Sequence, residues 1–284
     1  MTIISEKNFE IKTLTSFKIG GAIKEVFFPE NIDEFEQLLK ENHGIKVFGN
    51  LSNTLISSDG YDGKIILTTK MNSIKIENTK VIADAGVKGP MLSQVLCEKG
   101  LSGCEFMIGF PGSIGGEICM NASANGQAIS DTVVSVTCYS PQHGIVKFLK
   151  NEMSFEYRTS RCQFEDLIVL QAEFALEQKT KEEVQTKMNE CLEFRKKHQP
   201  LLSMPNCGSI FKNPEGNSAG RLIEAVGAKG LIFGGAKIWE NHANFIVNYK
   251  SGNSLDVLEL MNTMYNKVKE TDAQLYVSME NRMG

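Results

Sequence analysis

The residues best suited to chemistry lie in a glycine-rich stretch, GLSGCEFMIGFPGSIGGEICMNASANG, at 100–126. Its seven glycines surround Pro111. Glycine leaves backbone amides open to a ligand, and successive N–H groups can converge on an anion. A second loop, VFGNLSN, places the polar run 49–53 directly after a short apolar segment. Both loops therefore predict contacts with phosphate groups.

Each loop also has an ordinary structural interpretation, which is a tight turn between short strands. Neither matches G-x-G-x-x-G or G-x-x-x-x-G-K-[ST], so a Rossmann dinucleotide site and a P-loop are both disfavoured. Two such loops in one half of the chain favour a phosphate-bearing cofactor. The candidate cofactor-binding residues are Gly49, Asn50, Leu51, Ser52, Asn53, Pro111, Gly112, Ser113, Gly115 and Gly116.

The C-terminal half contains a third candidate, PNCGSIFKNP, at 205–214. Ser209 follows a glycine and precedes Lys212, so a hydroxyl at a turn stands beside a cation and can donate a proton to a bound anion. The surroundings lack the G-x-S-x-G pattern of a serine hydrolase. A backbone-capping serine is the commoner alternative. Arg158 in FEYRTS is a further candidate, and its alternative is a surface arginine stacked on an aromatic ring.

Composition excludes several classes of protein. The 284 residues carry 30 basic and 34 acidic side chains, a net charge of −4, without the concentrated basic face that nucleic-acid binding needs. The chain has no apolar run long enough for a membrane span and no signal-peptide core at its start. Seven cysteines without a CxxC pair predict reduced thiols rather than disulfides or a metal site. We expect a cytoplasmic protein without membrane or nucleic-acid partners.

Helical and strand patterns alternate along the whole chain, which predicts a mixed α and β fold. A helix is expected from Asn31 to Gly44, and a strand at 46–48 runs into the first polar loop. Clean alternation predicts strands in TVVSVTCYS and DLIVLQAEFAL. Thr180 and Glu183 form a capping-box signature ahead of another helix, and we place a domain boundary there. Ser218 and Ser254 are the predicted caps of two later helices.

Taken in order and spacing, the motifs resemble those of the bacterial UDP-N-acetylenolpyruvoylglucosamine reductases, the MurB family. The resemblance covers nearly the whole chain, and a short segment before the Thr180 helix is similar to the type II form. The motifs are TSFKIGG, VFGNLSN, GLSGCEFMIGFPGSIGGEICMNASANG, FEYRTS, QPLLSMPNCGSIFKNP, AGRLIEAVGAKG and HANFIVN.

This resemblance implies an α+β chain with an FAD-binding fold of the vanillyl-alcohol-oxidase (PCMH-like) kind and a C-terminal α/β substrate domain. It implies FAD-binding subdomains at 1–70 and 71–178 and a substrate-binding domain at 179–284. The implied cofactors are FAD and NADPH, and the implied partner is a small sugar-nucleotide substrate of a protein expected to be monomeric.

The implied reaction passes a hydride from NADPH through FAD to the vinyl carbon of the enolpyruvyl ether of UDP-N-acetylglucosamine. In the family an arginine and a C-terminal glutamate stabilise the resulting enolate, and a serine protonates it. Arg158, Ser209 and Glu280 are the corresponding catalytic candidates here. The resemblance also implies substrate contacts by Tyr157, Lys212 and Asn213.

Some positions depart from the family pattern. Leu51 replaces the second glycine of the G-x-G-S-N loop, and we expect its side chain to crowd a phosphate. Glu117 replaces a small residue and is expected to add negative charge near a phosphate site. Ser123 and Asn125 replace the usual glycine and tyrosine of the MNAGAYG segment.

The last strand departs as well. An ungapped match places Met279 at the position of the catalytic glutamate, and Glu280 follows one residue later. A shift of one residue moves a side chain to the other face of a strand unless a bulge intervenes. If the face opposite Met279 lines the cleft, Glu280 reaches it without a bulge.

Three hypotheses follow. The leading one is an active flavin reductase that makes UDP-N-acetylmuramate for peptidoglycan. The second is a divergent, non-catalytic relative that binds a sugar nucleotide or a partner with weak or no FAD. The third is a different flavin oxidoreductase on the same scaffold. The joint presence of Arg158, Ser209, Lys212 and the PGSIGG segment favours the first.

Overall fold

The computed structural model describes residues 3–201, 203–271 and 275–277. Helices and strands alternate throughout, as the sequence predicts. The α-helices in these residues are α1 (Ile32–Glu41), α2 (Gly89–Glu98), α3 (Ile114–Cys119), α4 (Lys181–His198), α5 (Ala219–Ala225) and α6 (Ser254–Lys269).

The strands are mostly short. Those in the first half are β1 (Ile4–Glu10), β2 (Ala22–Phe28), β3 (Lys46–Phe48), β4 (Tyr61–Leu67), β5 (Ile74–Glu77), β6 (Lys80–Asp84), β7 (Leu101–Ser102), β8 (Ser123–Ala124), β9 (Gln127–Ala128) and β10 (Val133–Ser140). Those that follow are β11 (Gly144–Leu149), β12 (Ile168–Ala175), β13 (Glu177–Gln178), β14 (Phe211–Lys212), β15 (Ile232–Phe233), β16 (Ala236–Ile238), β17 (Ile246–Asn248) and β18 (Tyr276–Val277).

Side-chain caps fix several helix starts where the sequence predicts them. The Asn31 side chain accepts the Glu34 N–H at 3.0 Å ahead of α1, and the Ser218 hydroxyl caps α5. Thr180 and Glu183 form the predicted reciprocal pair ahead of α4. Each such cap satisfies amides that the first helical turn leaves without partners.

The start of α6 differs from the prediction, which had Ser254 as the cap. The cap is Asn253, whose side chain accepts the Asp256 N–H while the Asp256 carboxylate accepts the Asn253 N–H, both at 3.0 Å. The acidic residue three positions on selects Asn253 for this capping box. The Ser254 hydroxyl instead accepts the Ser58 N–H at 3.0 Å.

The chain forms two compact units. The first comprises residues 1–5, 26–50 and 65–195, and the second comprises residues 6–25, 51–64 and 196–284. The three-part division predicted from the sequence stays a prediction. Among the described residues, no helix has the length and apolar character needed to span a membrane.

A five-stranded antiparallel sheet in the order β11-β10-β12-β6-β5 forms the centre of the first unit. The predicted alternation of β10 and β12 directs Val136, Cys138 and Phe174 inward, where each has no exposed surface. Burying side chains of this size contributes about 1.5–3 kcal/mol each. The core that α2 and α3 share with this sheet includes Leu92, Leu96, Ile114 and Ile118.

The second unit is built on the three-stranded antiparallel sheet β15-β16-β17, with α5 and α6 contributing to its core. Ile238, Ile246 and Val257 are completely buried there. Phe17 and Leu55, from two earlier segments of the chain, belong to the same core.

All seven cysteines are free thiols, and each is buried or partly buried.

Candidate active site

The two polar loops singled out in the sequence meet in the first unit. Strand β3 ends at Phe48 and leads directly into Gly49. The Asn50 side-chain amide donates a hydrogen bond to the Pro111 carbonyl. A Cβ on Gly49 would overlap the Ser113 hydroxyl. Glycine at position 49 therefore allows the close approach of the two loops, since a larger residue would displace the Ser113 hydroxyl.

Part of the second loop serves packing rather than ligand binding. The Ile114 N–H donates to the Val87 carbonyl and the Gly115 N–H to the Ala85 carbonyl, both at 2.9 Å. A Cβ on Gly115 would lie 3.0 Å from the Ala85 Cβ. Gly115 thus allows close packing against Ala85. Because the Gly115 amide already donates a hydrogen bond to the protein, the predicted phosphate contacts fall to the residues beside it.

The neighbouring residues suit a cofactor phosphate. Gly116 is exposed, and no heavy atom lies within 4 Å of the position a Cβ would take. The Ser113 hydroxyl is buried and has no hydrogen-bond partner among the described residues. An unpartnered donor beside open space at a glycine is an arrangement that a bound anion can complete.

Leu51 adopts the conformation that a glycine would favour. Its φ is +51°, in the left-handed region, which costs a side-chain-bearing residue about 1–2 kcal/mol. The residue is only 3% exposed. The crowding of a phosphate by this side chain stays a prediction, and leucine at this position also carries a cost in the backbone. Ser52 and Asn53 follow as partly buried residues.

Glu117 lies in α3 and is 4% exposed. Burial raises the pKa of its carboxyl to about 8. Burial therefore favours the neutral form of this carboxyl, which opposes the expectation that Glu117 adds negative charge near a phosphate.

Arg158 is held in a restrained conformation with φ +54°. Its guanidinium donates to the Ser123 carbonyl at 3.1 Å, and the Gln163 side chain donates to the Arg158 carbonyl at 3.1 Å. The guanidinium carbon also lies 5.7 Å from the ring centre of the exposed Tyr157. The stacking alternative is thus observed, but residues held at positive φ also cluster at functional sites. Because the bond to Ser123 uses only its backbone, serine in place of the family's glycine preserves it.

Ser209 stands on an exposed turn in the second unit. It follows Gly208, whose φ of +81° requires glycine, and it forms a single antiparallel bridge with Phe245. Strand β14 begins two residues later. The hydroxyl is therefore presented at the surface of the unit by a fixed backbone.

The feature that fixes this turn was not identified from the sequence. Asn244 is buried, and its side chain accepts the Phe211 N–H at 2.9 Å and donates to the Phe211 carbonyl at 2.8 Å. The Ile210 N–H donates to the Asn244 carbonyl at 2.9 Å. The only sequence signal was an asparagine within the apolar motif HANFIVN.

Lys212 is partly buried and Asn213 is exposed. The Asn213 side-chain oxygen accepts the Ala219 N–H at 3.0 Å, close to the start of α5. Asn213 therefore has a structural role at the start of α5 in addition to the substrate contact predicted for it.

The last described strand lies beside the segment that carries Ser209. Phe211 pairs with Val277 and Lys212 with Tyr276 in antiparallel register. The sequence predicts a last strand at 274–283, of which the structure describes Leu275 and the two strand residues Tyr276 and Val277. Met279 and Glu280 lie outside the described residues.

Comparison with known proteins identifies the family. A model of the C-terminal domain of UDP-N-acetylenolpyruvoylglucosamine reductase matches residues 199–279, and an FAD binding domain model matches residues 23–148. The reductase of that name from Caldicellulosiruptor saccharolyticus is 41% identical over 261 residues, which cover 90% of this chain and 84% of the relative. The chain belongs to the UDP-N-acetylenolpyruvoylglucosamine reductase family. A second member, from Carboxydothermus hydrogenoformans, is 39% identical over 272 residues, or 94% of this chain and 90% of the relative.

A solved structure from this reductase family shares the fold. The crystal structure of the enzyme from Thermus caldophilus matches with a TM-score of 0.83 at 30% identity, covering 99% of each chain. With the FAD binding domain match, this confirms the predicted α+β fold of the FAD-binding kind.

Proposed function

We propose that this protein is an FAD-containing, NADPH-dependent reductase that converts the enolpyruvyl ether of UDP-N-acetylglucosamine to UDP-N-acetylmuramate. The observation that carries the proposal is family membership across 90% of the chain. The reaction serves peptidoglycan precursor synthesis, and hence cell-wall formation, cell shape and division. We place it in the cytoplasm, with the protein acting as a monomer.

The first unit offers features that fit FAD. The loops that carry Gly49 and Ser113 contact each other. Among the described residues, the Ser113 hydroxyl has no hydrogen-bond partner, and Gly116 borders open space. We assign phosphate contacts in this unit to the backbone amides of Gly49, Asn50, Gly112, Ser113 and Gly116. Bound FAD would supply the relay of hydride from NADPH to the vinyl carbon of the substrate.

Side chains of this protein then stabilise the negative charge that develops on the substrate and donate a proton to it. Hydride addition leaves a carbanion beside the substrate carboxylate, and positive charge stabilises it. We assign that stabilisation to Arg158 and assign the donated proton to the Ser209 hydroxyl. Lys212, Tyr157 and Asn213 are the proposed substrate contacts. Glu280 is the proposed carboxylate of the site.

The alternative is a non-catalytic relative that binds a sugar nucleotide or a partner. This alternative is supported by Met279, which stands at the position of the family's catalytic glutamate when the last strand is matched to the family motif without a gap. The alternative predicts a protein that is colourless or takes up little flavin.

Two measurements test the proposal. The reductase is supported by a purified protein that has a flavin absorbance spectrum near one FAD per chain and forms UDP-N-acetylmuramate. Such a protein should oxidise NADPH beyond the one equivalent that reduces its FAD only when the enolpyruvyl substrate is present. A protein that binds the sugar nucleotide but neither takes up FAD nor turns over would establish the alternative.

A further inference from the structure

Glu117 is a buried carboxyl. Among the described residues, neither of its carboxyl oxygens has a hydrogen-bond partner. A Cβ on Gly89 would lie 2.5 Å from the Glu117 Oε1, and one on Gly112 would lie 3.0 Å from it. The carboxyl therefore occupies a space that exists because both neighbours are glycines.

This space adjoins the proposed phosphate site. Gly112 belongs to the segment assigned to the diphosphate, and the next residue, Ser113, has the other buried side-chain oxygen without a partner. Buried polar atoms normally find partners, so three such oxygens on two residues of one segment are unusual. They indicate that this region is completed by something the folded chain does not itself supply.

The charges on the elements around Glu117 leave it uncompensated. Lys88, which precedes α2, is exposed. Asp84, at the end of β6, is held by the Ser73 N–H and the Gln171 side chain. Cys104 is buried, and burial is the main cause that raises its pKa to about 12, so it stays a neutral thiol. Burial alone raises the pKa of Glu117 to about 8.

We propose that Glu117 makes FAD binding depend on pH: its neutral carboxyl permits the FAD diphosphate at Gly112 and Ser113, and its ionised carboxylate repels it. The inference rests on the proposed function, because it takes the FAD diphosphate as the ligand. Repulsion between like charges is strong when a protein interior excludes water. By linkage, bound FAD must in turn make Glu117 harder to ionise.

The test is the affinity of flavin-free protein for FAD, measured by quenching of flavin fluorescence between about pH 6 and about pH 9. For the unaltered protein, the dissociation constant should rise about tenfold from about pH 7 to about pH 9, because only the protonated fraction binds. Glu117→Gln has nearly the same shape but does not titrate, so its dissociation constant should stay within about twofold. Glu117→Ala should also give a flat profile, and it replaces the glutamine variant if that one fails to fold.

The matched control is Glu173→Gln in the same unit. The Lys147 and Lys80 ammonium groups and the Ser135 hydroxyl hold the pKa of Glu173 at about 2, so this carboxylate does not titrate in the range. Its removal should leave the profile of the unaltered protein unchanged.

Superimposable profiles for the unaltered protein and Glu117→Gln would overturn the role of Glu117 while leaving FAD binding intact. If the circular dichroism signal of the folded protein falls with pH in parallel with FAD binding, the pH dependence reflects unfolding and the inference is wrong. Failure of the protein to bind FAD at any pH would overturn the proposed function itself.

Discussion

Gly49 lies directly against the Ser113 side chain, so that a methyl group on Gly49 would overlap the serine hydroxyl. Asn50 holds the same two loops together through its hydrogen bond to the Pro111 carbonyl. Glycine loops that are far apart in the sequence thus form one surface of the first unit.

Gly49→Ala should destabilise the flavin-free protein by about 1–3 kcal/mol, because the methyl group displaces the buried Ser113 hydroxyl at the contact between the loops. It should also weaken FAD binding. Thermal unfolding and flavin fluorescence measure the two effects. Gly116→Ala is the control, because open space surrounds its Cβ position within α3, and it should leave the unfolding temperature unchanged or raise it slightly. Equal unfolding temperatures for both variants would contradict this account of Gly49.

Leu51→Gly should leave FAD affinity unchanged or increase it, while lowering stability by about 2 kcal/mol. Losing a buried leucine costs about 2–5 kcal/mol, and relief of the left-handed backbone returns about 1–2 kcal/mol. Leu51→Ala loses the packing without that relief, so urea unfolding should find it less stable than Leu51→Gly. A marked loss of FAD from the glycine variant would mean that the loop is misassigned.

Ser209→Ala should leave reduction of the flavin by NADPH nearly intact and slow its reoxidation by the enolpyruvyl substrate ~10²-fold or more, as expected when a proton donor is lost. Stopped-flow absorbance separates the two half-reactions. Ser203→Ala, at another exposed serine nearby, should change neither rate. Equal slowing of both half-reactions would show that Ser209 is structural.

Glu280→Gln should depress turnover with the enolpyruvyl substrate far more than it depresses flavin reduction, since a carboxylate is expected to act only in the second half-reaction. Glu270→Gln, at an exposed carboxylate after α6, is the control. Unchanged turnover in the Glu280 variant would remove this residue from the mechanism.

The flavin-free protein should lose stability as the pH rises from about 5 to about 8, by up to about 1.4 kcal/mol per pH unit. In this window the unfolded chain has released the Glu117 proton, whereas the folded chain retains it because burial raises the pKa to about 8. Above about pH 8, Glu117 is ionised in both the folded and the unfolded protein, so the stability stops falling. Urea unfolding of Glu117→Gln should lack this component, and identical pH dependence in both proteins would contradict it.

Local sequence features predicted much of the fold. The caps at Asn31, Thr180 and Ser218 and the alternation of β10 and β12 depend on residues within a few positions of one another. The cap of α6 was misplaced by one residue because Asn253 and Ser254 are both competent, and the pairing of Asn253 with Asp256 decided it.

The family, the two glycine loops and the candidate residues Arg158 and Ser209 can be identified from the amino-acid sequence. The three-dimensional fold was needed to show that the loops meet, that Leu51 is buried at positive φ, and that burial raises the pKa of Glu117. Helix caps and the alternation of side chains along a strand depend on short-range geometry, so the types of neighbouring residues specify them. Burial, and the pKa shift it causes, depends on atoms brought together from distant segments, which no local pattern specifies.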